Sequence, residues 1–231
     1  MWVRGFASAF PYTIPVMTGY LSLGAAFAIL MERNGLAVWW SVLMSVIVYA
    51  GSMQFVGAGL VAAPFAPLET AVLTLMVNAR HLFYGLPMLD RWRDSGRLKP
   101  YQIFALTDET FSVLLTAKAP AGMNPRAFEF CVALMNQLYW ICGTIIGAII
   151  ANALPFDTAG VEFSMTALFV VIFLEQWKSR RNRAFAVAGV AATLVSRVAF
   201  GDKWFLLYAM AMIILALIPL RRLDAERTAE Q

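Results

Sequence analysis

Three observations predict an all-α integral membrane protein, a polytopic helical bundle of about seven spans with a polar interior. The chain has 231 residues, 61% hydrophobic and only 14% charged, where an ordinary soluble domain is about 45–50% apolar and about 25% charged. Its apolar residues form long continuous runs, not the ten-residue alternation of a membrane barrel. Asn78-Ala79-Arg80-His81, which holds the chain's one histidine, lies inside an apolar stretch from Leu68 to Leu89. Polar side chains persist at such depth because they line an internal cavity or pair with one another.

A crossing helix needs about 20 residues, so the length allows six to eight spans in one transmembrane domain over residues 1–231. Seven are expected, at 6–31, 37–63, 68–89, 127–151, 161–177, 184–200 and 203–220, followed by a short cytoplasmic tail at 221–231. Trp39, Trp40, Trp92, Trp177 and Trp204 fall near the ends of these runs, as interfacial aromatics do. The first run is too long for the apolar core of a signal peptide and contains Pro11 and Pro15, so it is expected to remain as a span.

Spans one and two read as discontinuous. Span one carries Pro11, Pro15, Gly19 and Gly24, and proline removes a backbone donor and crowds the preceding turn. Span two carries Gly51-Ser52-Met53-Gln54, then Gly57 and Gly59. Broken helices are tolerated at membrane depth only where they are buried in protein or line a cavity, and in transporters such breaks build the substrate site. Close helix packing is the competing account of small residues, and it is favoured for Gly57/Gly59 and for Gly143/Gly147.

Charge placement sets the expected orientation. Of 18 basic residues, 11 sit in three short segments, Arg91/Arg93/Arg97/Lys99, Lys178/Arg180/Arg181/Arg183 and Arg221/Arg222/Arg227. Cytoplasmic loops look like this, and because each segment abuts an apolar run, no nucleic-acid surface is expected. If loops 90–100 and 178–183 are both cytoplasmic, an even number of crossings separates them, and spans four and five already supply two. Segment 101–118, interrupted by Gln102, Thr107, Asp108, Glu109 and Ser112, is therefore either re-entrant or buried against the bundle. Seven crossings put the N-terminus outside; a broken hairpin in span one would move it inside.

Cys131 and Cys142 are separated by about 16 Å along a helix, too far for a disulfide, and read as packing residues. No nucleophile elbow, metal-ligand cluster or phosphate-cradling loop is present. An enzyme is not expected, nor is a cofactor.

Two constellations carry candidate chemistry. Asn78 and His81 share a helix face that Tyr84 continues, while Arg80 points elsewhere. Histidine titrates near physiological pH, so His81 is a candidate proton carrier, with bridging of two helices and direct substrate contact as the other readings. Arg80 is either a structural counter-ion or an anchor for a substrate carboxylate. Asp108 and Glu109 are adjacent acids in an apolar segment; they repel each other and are poorly solvated, so one of them is expected to hold a proton. Either could instead neutralise Arg80, and Thr107 is placed to cap a helix. Glu175 and Gln176 are expected at the cytoplasmic interface, and Arg197 is expected to pair with an acid or reach the interface.

Four motifs occur in order: Tyr49-Ala-Gly-Ser-Met-Gln-Phe55, Asn78-Ala-Arg-His-Leu-Phe-Tyr-Gly85, Leu106-Thr-Asp-Glu-Thr-Phe111 and Thr166-Ala-Leu-Phe-Val-Val-Ile-Phe-Leu-Glu-Gln-Trp177. With them the chain resembles, over nearly its whole length, the AzlC-type branched-chain amino-acid export family. The resemblance implies a bacterial inner-membrane exporter of valine, leucine and isoleucine, with methionine or toxic analogues as further substrates. It also implies a small AzlD-type membrane subunit as partner in the lipid bilayer, and proton-driven exchange. A branched-chain zwitterion needs an apolar pocket and paired polar groups, and the span-two break supplies Phe55 and Val56 beside Gln54 and exposed backbone. The expected substrate contacts are Tyr49, Gly51, Ser52, Gln54, Asn78 and Arg80; the expected proton-coupling groups are His81, Asp108 and Glu109. The rival expectation is a channel or importer for another small solute.

Overall fold

The computed structural model describes residues 2–153, 170, 173, 174, 177 and 180–229, and the chain falls into two compact units, Met1–Met165 and Thr166–Gln231. The expected fifth span, with Glu175 and Gln176, lies largely outside the described residues. Every described element is helical. In the first unit these are α1 (Trp2–Arg33), α2 (Val38–Ile47), α3 (Gly51–Ala62), α4 (Pro67–Asn78), α5 (Arg80–Arg91), α6 (Lys99–Phe104), α7 (Asp108–Thr116) and α8 (Pro125–Ala153). In the second unit α9 (Arg180–Ala229) is kinked at Gly201.

The expected break in span one is absent. α1 runs as one helix through Pro11 and Pro15. Thr13 donates to the Phe10 carbonyl at 3.0 Å and Thr18 to the Pro15 carbonyl at 2.9 Å, neither of them a carbonyl that Pro11 or Pro15 leaves without its amide, so packing against a neighbouring helix carries α1 through. α8 supports α1 along its length. Gly5 faces Cys131, Gly24 meets the backbone of Trp140 and Thr144, Gly143 meets Tyr20 and Leu21, and Gly147 meets Ala25. Residue numbers rise together in these contacts, so α1 and α8 are parallel. Gly143 and Gly147 pack as expected. Of the other pair, Gly57 faces the end of Met44, while Gly59 has no neighbour within 4 Å among the described residues. Cys131 is buried and Cys142 exposed, both as thiols.

Span two is a hairpin rather than a crossing. α2 descends along α8: Val38 and Val42 share a cleft with Ile149 and Asn152, Ser45 bonds Thr144 at 2.8 Å, and the Val46 carbonyl accepts from Gln137 at 3.0 Å. The chain turns at Val48–Ala50, where Tyr49 takes a positive φ of 38°. α3 then returns, with Gln54 donating to Ser45 at 3.2 Å and Gly57 against Met44. In one straight helix Met44 and Gly57 would lie about 20 Å apart. An apolar run long enough for one crossing is thus spent on two half-length helices, a distinction that composition does not carry.

α4 and α5 make one continuous path, kinked at Ala79. It ends at Trp92, whose indole donates to Glu129 near the start of α8 at 2.8 Å. From that end α6 climbs. Gln102 donates to the Arg126 carbonyl at 3.0 Å, Tyr101 donates to Gln137 at 2.6 Å, and the Phe104 ring lies 6.3 Å from that of Tyr49. The chain turns at Ala105–Thr107 and α7 descends beside α5, with Phe111 stacked 5.8 Å from Tyr84. Segment 101–118 therefore folds back, one of the two expected arrangements.

In the first unit, then, three described paths run end to end (α1, α4–α5 and α8), and two hairpins enter from opposite ends. The order path, hairpin, path occurs twice, the second time inverted, with α4–α5 shared. Inverted repeats of this kind recur among transporters. In the second unit Gly201, at φ 66°, separates the expected spans 184–200 and 203–220. The two arms meet through Ser196 and Met212 at 3.3 Å and through Phe200 stacked on Tyr208 at 3.8 Å. The Arg197 guanidinium lies 5.5 Å over the Phe205 ring.

Thr107 is extended and caps α7, its hydroxyl accepting from the Thr110 amide at 3.1 Å. Replacing it with alanine is expected to cost about 1 kcal/mol of stability, read as a lowered thermal midpoint of the detergent-purified protein. An unchanged midpoint would mean that another group takes over the cap.

Candidate functional site

The turns of the two hairpins and the kink between α4 and α5 meet at the middle of the first unit. Each is a place where a helix stops inside the protein, which leaves backbone groups without helical partners. Sequence placed polar residues at each of these points, and the fold brings them together.

Arg80 joins all three. Its Nη1 donates to Asp108 Oδ2 at 3.0 Å and its Nη2 to Ser52 Oγ at 2.8 Å. Asp108 is thus the partner that neutralises Arg80, and Glu109 is not. Glu109 accepts from the Tyr20 hydroxyl at 2.8 Å. Tyr20 also lies 2.8 Å from the Thr107 hydroxyl, Thr107 donates to Thr110 at 3.1 Å, and Asn136 donates to Thr110 at 3.0 Å. A line of hydrogen bonds therefore runs from α1 through the α6–α7 tip to α8.

The remaining expected site residues divide. Tyr49 is 3% exposed, its ring 6.5 Å from that of Tyr20. Gly51 backs onto Trp140, where an added Cβ would lie 3.2 Å from the indole. Gln54 is fully buried. His81 turns back across the kink: its Nδ1 pairs with the backbone carbonyl of Asn78, the last residue of α4, at 3.1 Å, and its ring lies 4.9 Å from Tyr84. No hydrogen bond or ion pair joins His81 to either acid among the described residues.

Orphaned polar atoms concentrate here. The hydroxyls of Tyr49 and Tyr84, Oε1 of Gln54, Oδ1 of Asn78 and of Asn136, and Nε of Arg80 are buried without a hydrogen-bond partner. Each such group costs about 1–3 kcal/mol, so their collection around two helix ends marks a place built to receive a polar solute or water. The start of α3 adds to it, since Ala50 offers no side-chain cap and uncapped amides carry partial positive charge. The start of α7 is the opposite case, carrying Asp108 and Glu109 in its first turn.

Tyr20, Thr107, Thr110 and Asn136 entered the site from outside the expected set. Asn136-Gln137 is the one polar pair in an apolar run, a weak signal; Tyr20 gives none, because an aromatic in an apolar span is unremarkable. A second polar cluster was also missed. Glu129, 2% exposed, accepts from Arg91 and from Trp92 at 2.8 Å each, with Arg126 at 3.7 Å, and so pins the end of α5 to the start of α8.

Two opposed hairpins whose tips hold an ion pair and orphaned polar groups between apolar helices are the kind of interrupted interior that multi-pass membrane transport proteins use. The chain belongs to the AzlC family: the family model described as "AzlC protein" matches residues 15–154, which include every residue named in the site. It is 45% identical to the branched-chain amino acid transport protein AzlC of Bacillus subtilis, covering 94% of this chain and 85% of that one. It is 39% identical to an uncharacterized membrane protein of Helicobacter pylori, covering 96% and 97%. To the inner membrane protein YgaZ of Escherichia coli it is 30% identical, covering 78% and 76%. No solved structure matches the chain.

Proposed function

We propose that this chain exports branched-chain amino acids (valine, leucine and isoleucine, with methionine as a further substrate) as the large subunit of a proton-coupled system with a small AzlD-type membrane partner. The observation that carries the reading is Arg80, bonded at once to Ser52 of one hairpin and Asp108 of the other. A solute lodged between the tips would be sensed by both. The substrate class follows the named function of the Bacillus subtilis relative and fits the chemistry. The uncapped start of α3 and Arg80 Nε suit a carboxylate, the acids of α7 suit an ammonium, and Phe55 with its neighbour Phe27, 5.8 Å away, offers apolar surface. The candidates for the group that carries the coupling proton are His81, Asp108 and Glu109.

Orientation follows from the hairpin. Trp2 and Gly5 lie against Phe130 and Cys131, at the end where Trp92 and its basic loop meet Glu129. With that loop cytoplasmic, the N-terminus is inside. The parity that put it outside counted 37–63 as a crossing. The α2–α3 hairpin then opens from the outer side and α6–α7 from the cytoplasmic side.

The test is leucine efflux from preloaded vesicles, with and without the small partner, across an imposed pH gradient. Partner-dependent efflux that follows the gradient supports the reading; no efflux in any form sinks it. Gln54→Ala is expected to lower efflux several-fold while leaving the protein folded, and normal efflux in that variant would place the pocket elsewhere. In cells, resistance to a toxic leucine analogue marks an exporter, and sensitisation marks an importer.

A further inference from the structure

We infer that Glu109 is the one carboxylate for which the coupling proton and the substrate's ammonium group compete, with Tyr20 as its positioning residue. The inference rests on the amino-acid export reading above and narrows its coupling step from three candidate groups to one.

Charge balance carries it. The tips hold two adjacent acids and one arginine. Arg80 pairs with Asp108 at 3.0 Å, and no Lys, Arg or His among the described residues stands within ion-pair distance of Glu109. What faces Glu109 is Tyr20 from α1, Tyr49 from the α2–α3 turn and Asp108 on its own helix. Beyond Asp108 stand Arg80 and Tyr84 of α5, and the α8 member of the network is neutral Asn136. A carboxylate without a cation in an apolar interior is costly. Two species relieve that cost: a proton, or a cation small enough to reach the tip. The proposed substrates carry one such cation, a primary ammonium.

The step balances simply. Protonated Glu109 loses its O–H proton to water on the side that is open; the carboxylate left behind pairs with the incoming ammonium, and no covalent bond to the substrate forms. On the other side the ammonium leaves and a proton takes its place. Because one carboxylate holds one or the other, exchange is obligatory, one proton for one amino acid. Tyr20 sets the geometry. Its hydroxyl donates to Glu109 Oε2 at 2.8 Å from α1, which is held on α8 by backbone contact at Gly143 and Gly147. The tip of α6–α7 is thus tied to a fixed scaffold through the very oxygen the ammonium needs. His81 is bonded back across the kink to Asn78 and stands outside this exchange.

The experiment adds leucine to the solubilised full chain with its small partner in weakly buffered solution. A pH indicator reads proton release and equilibrium dialysis reads bound leucine. Wild type and His81→Gln are expected to release one proton per leucine bound. 4-Methyl-2-oxopentanoate, which keeps the carboxylate and the branched chain but lacks the ammonium, is expected to release none from the wild type. Glu109→Gln is expected to bind leucine more weakly, independently of pH, and to release no proton. Tyr20→Phe is expected to move the pH midpoint of release, which a purely structural tyrosine would leave in place. Release that persists in Glu109→Gln, or disappears in His81→Gln, overturns the inference, as does equal release with the deaminated analogue. Leucine binding without proton release sinks this inference alone, whereas absence of leucine binding by the wild type sinks the export reading with it.

Discussion

Replacing Gly143 with valine is expected to leave almost no folded protein. A Cβ at this position would lie 2.6 Å from the Tyr20 carbonyl oxygen and 2.8 Å from the Leu21 Cα, and backbone atoms of a long helix cannot step aside as a side-chain end can. α1 and α8 would have to separate along their contact, uncovering Trp140 and Thr144, both now buried. Ordinary overpacking costs about 1–3 kcal/mol. Here the strain spreads over the main helix pair and approaches a total stability of about 5–15 kcal/mol. The measurement is size-exclusion chromatography of a fluorescent fusion after mild detergent extraction. Gly59→Ala, at a glycine with no near neighbour, is the matched control and should elute as wild type. A single sharp peak at wild-type yield for Gly143→Val would show that the two helices part without penalty.

The second large effect is expected at Arg80. Arg80→Met removes the cation that pairs with Asp108 and the donor that reaches Ser52. The Asp108 carboxylate is then left without compensation at the tips. Bonds to charged groups are worth about 1.5–3 kcal/mol each, and about a third of each side chain in the pair is exposed, so solvent screening puts the loss at the low end of that range. Leucine efflux should nevertheless fall at least tenfold, because the hairpins lose their shared contact. Adding Asp108→Asn to Arg80→Met should restore folded yield without restoring efflux, since it removes the stranded charge and leaves the tie broken. If the double variant transports at the wild-type rate, the pair is an insulator and not part of the pathway.

How far the sequence reached is clearest residue by residue. The helical class, the separation at Gly201 and the capping role of Thr107 follow from composition and local chemistry, and so were legible. Arg80 and Asp108 could be named because charge in an apolar run is costly enough to demand a partner, although which acid answered Arg80 needed geometry. The fold-back of α2 and α3 was not legible as such. Gly51-Ser52 signalled interruption, but a kinked crossing and a hairpin bury the same apolar residues, and only the Ser45, Gln54 and Met44 contacts tell them apart. The error at Pro11 and Pro15 has the opposite cause: proline was read as a break, and a close neighbouring helix carried α1 through. Tyr20 was invisible because its role depends on a partner 89 positions away.

That distance has a consequence for how the protein is made. Gly24 of α1 rests on Trp140 and Thr144, residues that the ribosome adds more than a hundred positions later. At about 5–20 residues per second, α1 waits on the order of 6–24 seconds before its partner exists. During that interval Thr13, Tyr20 and the grooves at Gly5 and Gly24 face lipid or the insertion machinery instead of α8. Ribosome stalling just before Pro125 should therefore yield an intermediate in which position 13, whose partner Tyr139 is not yet made, crosslinks to a protein other than this chain.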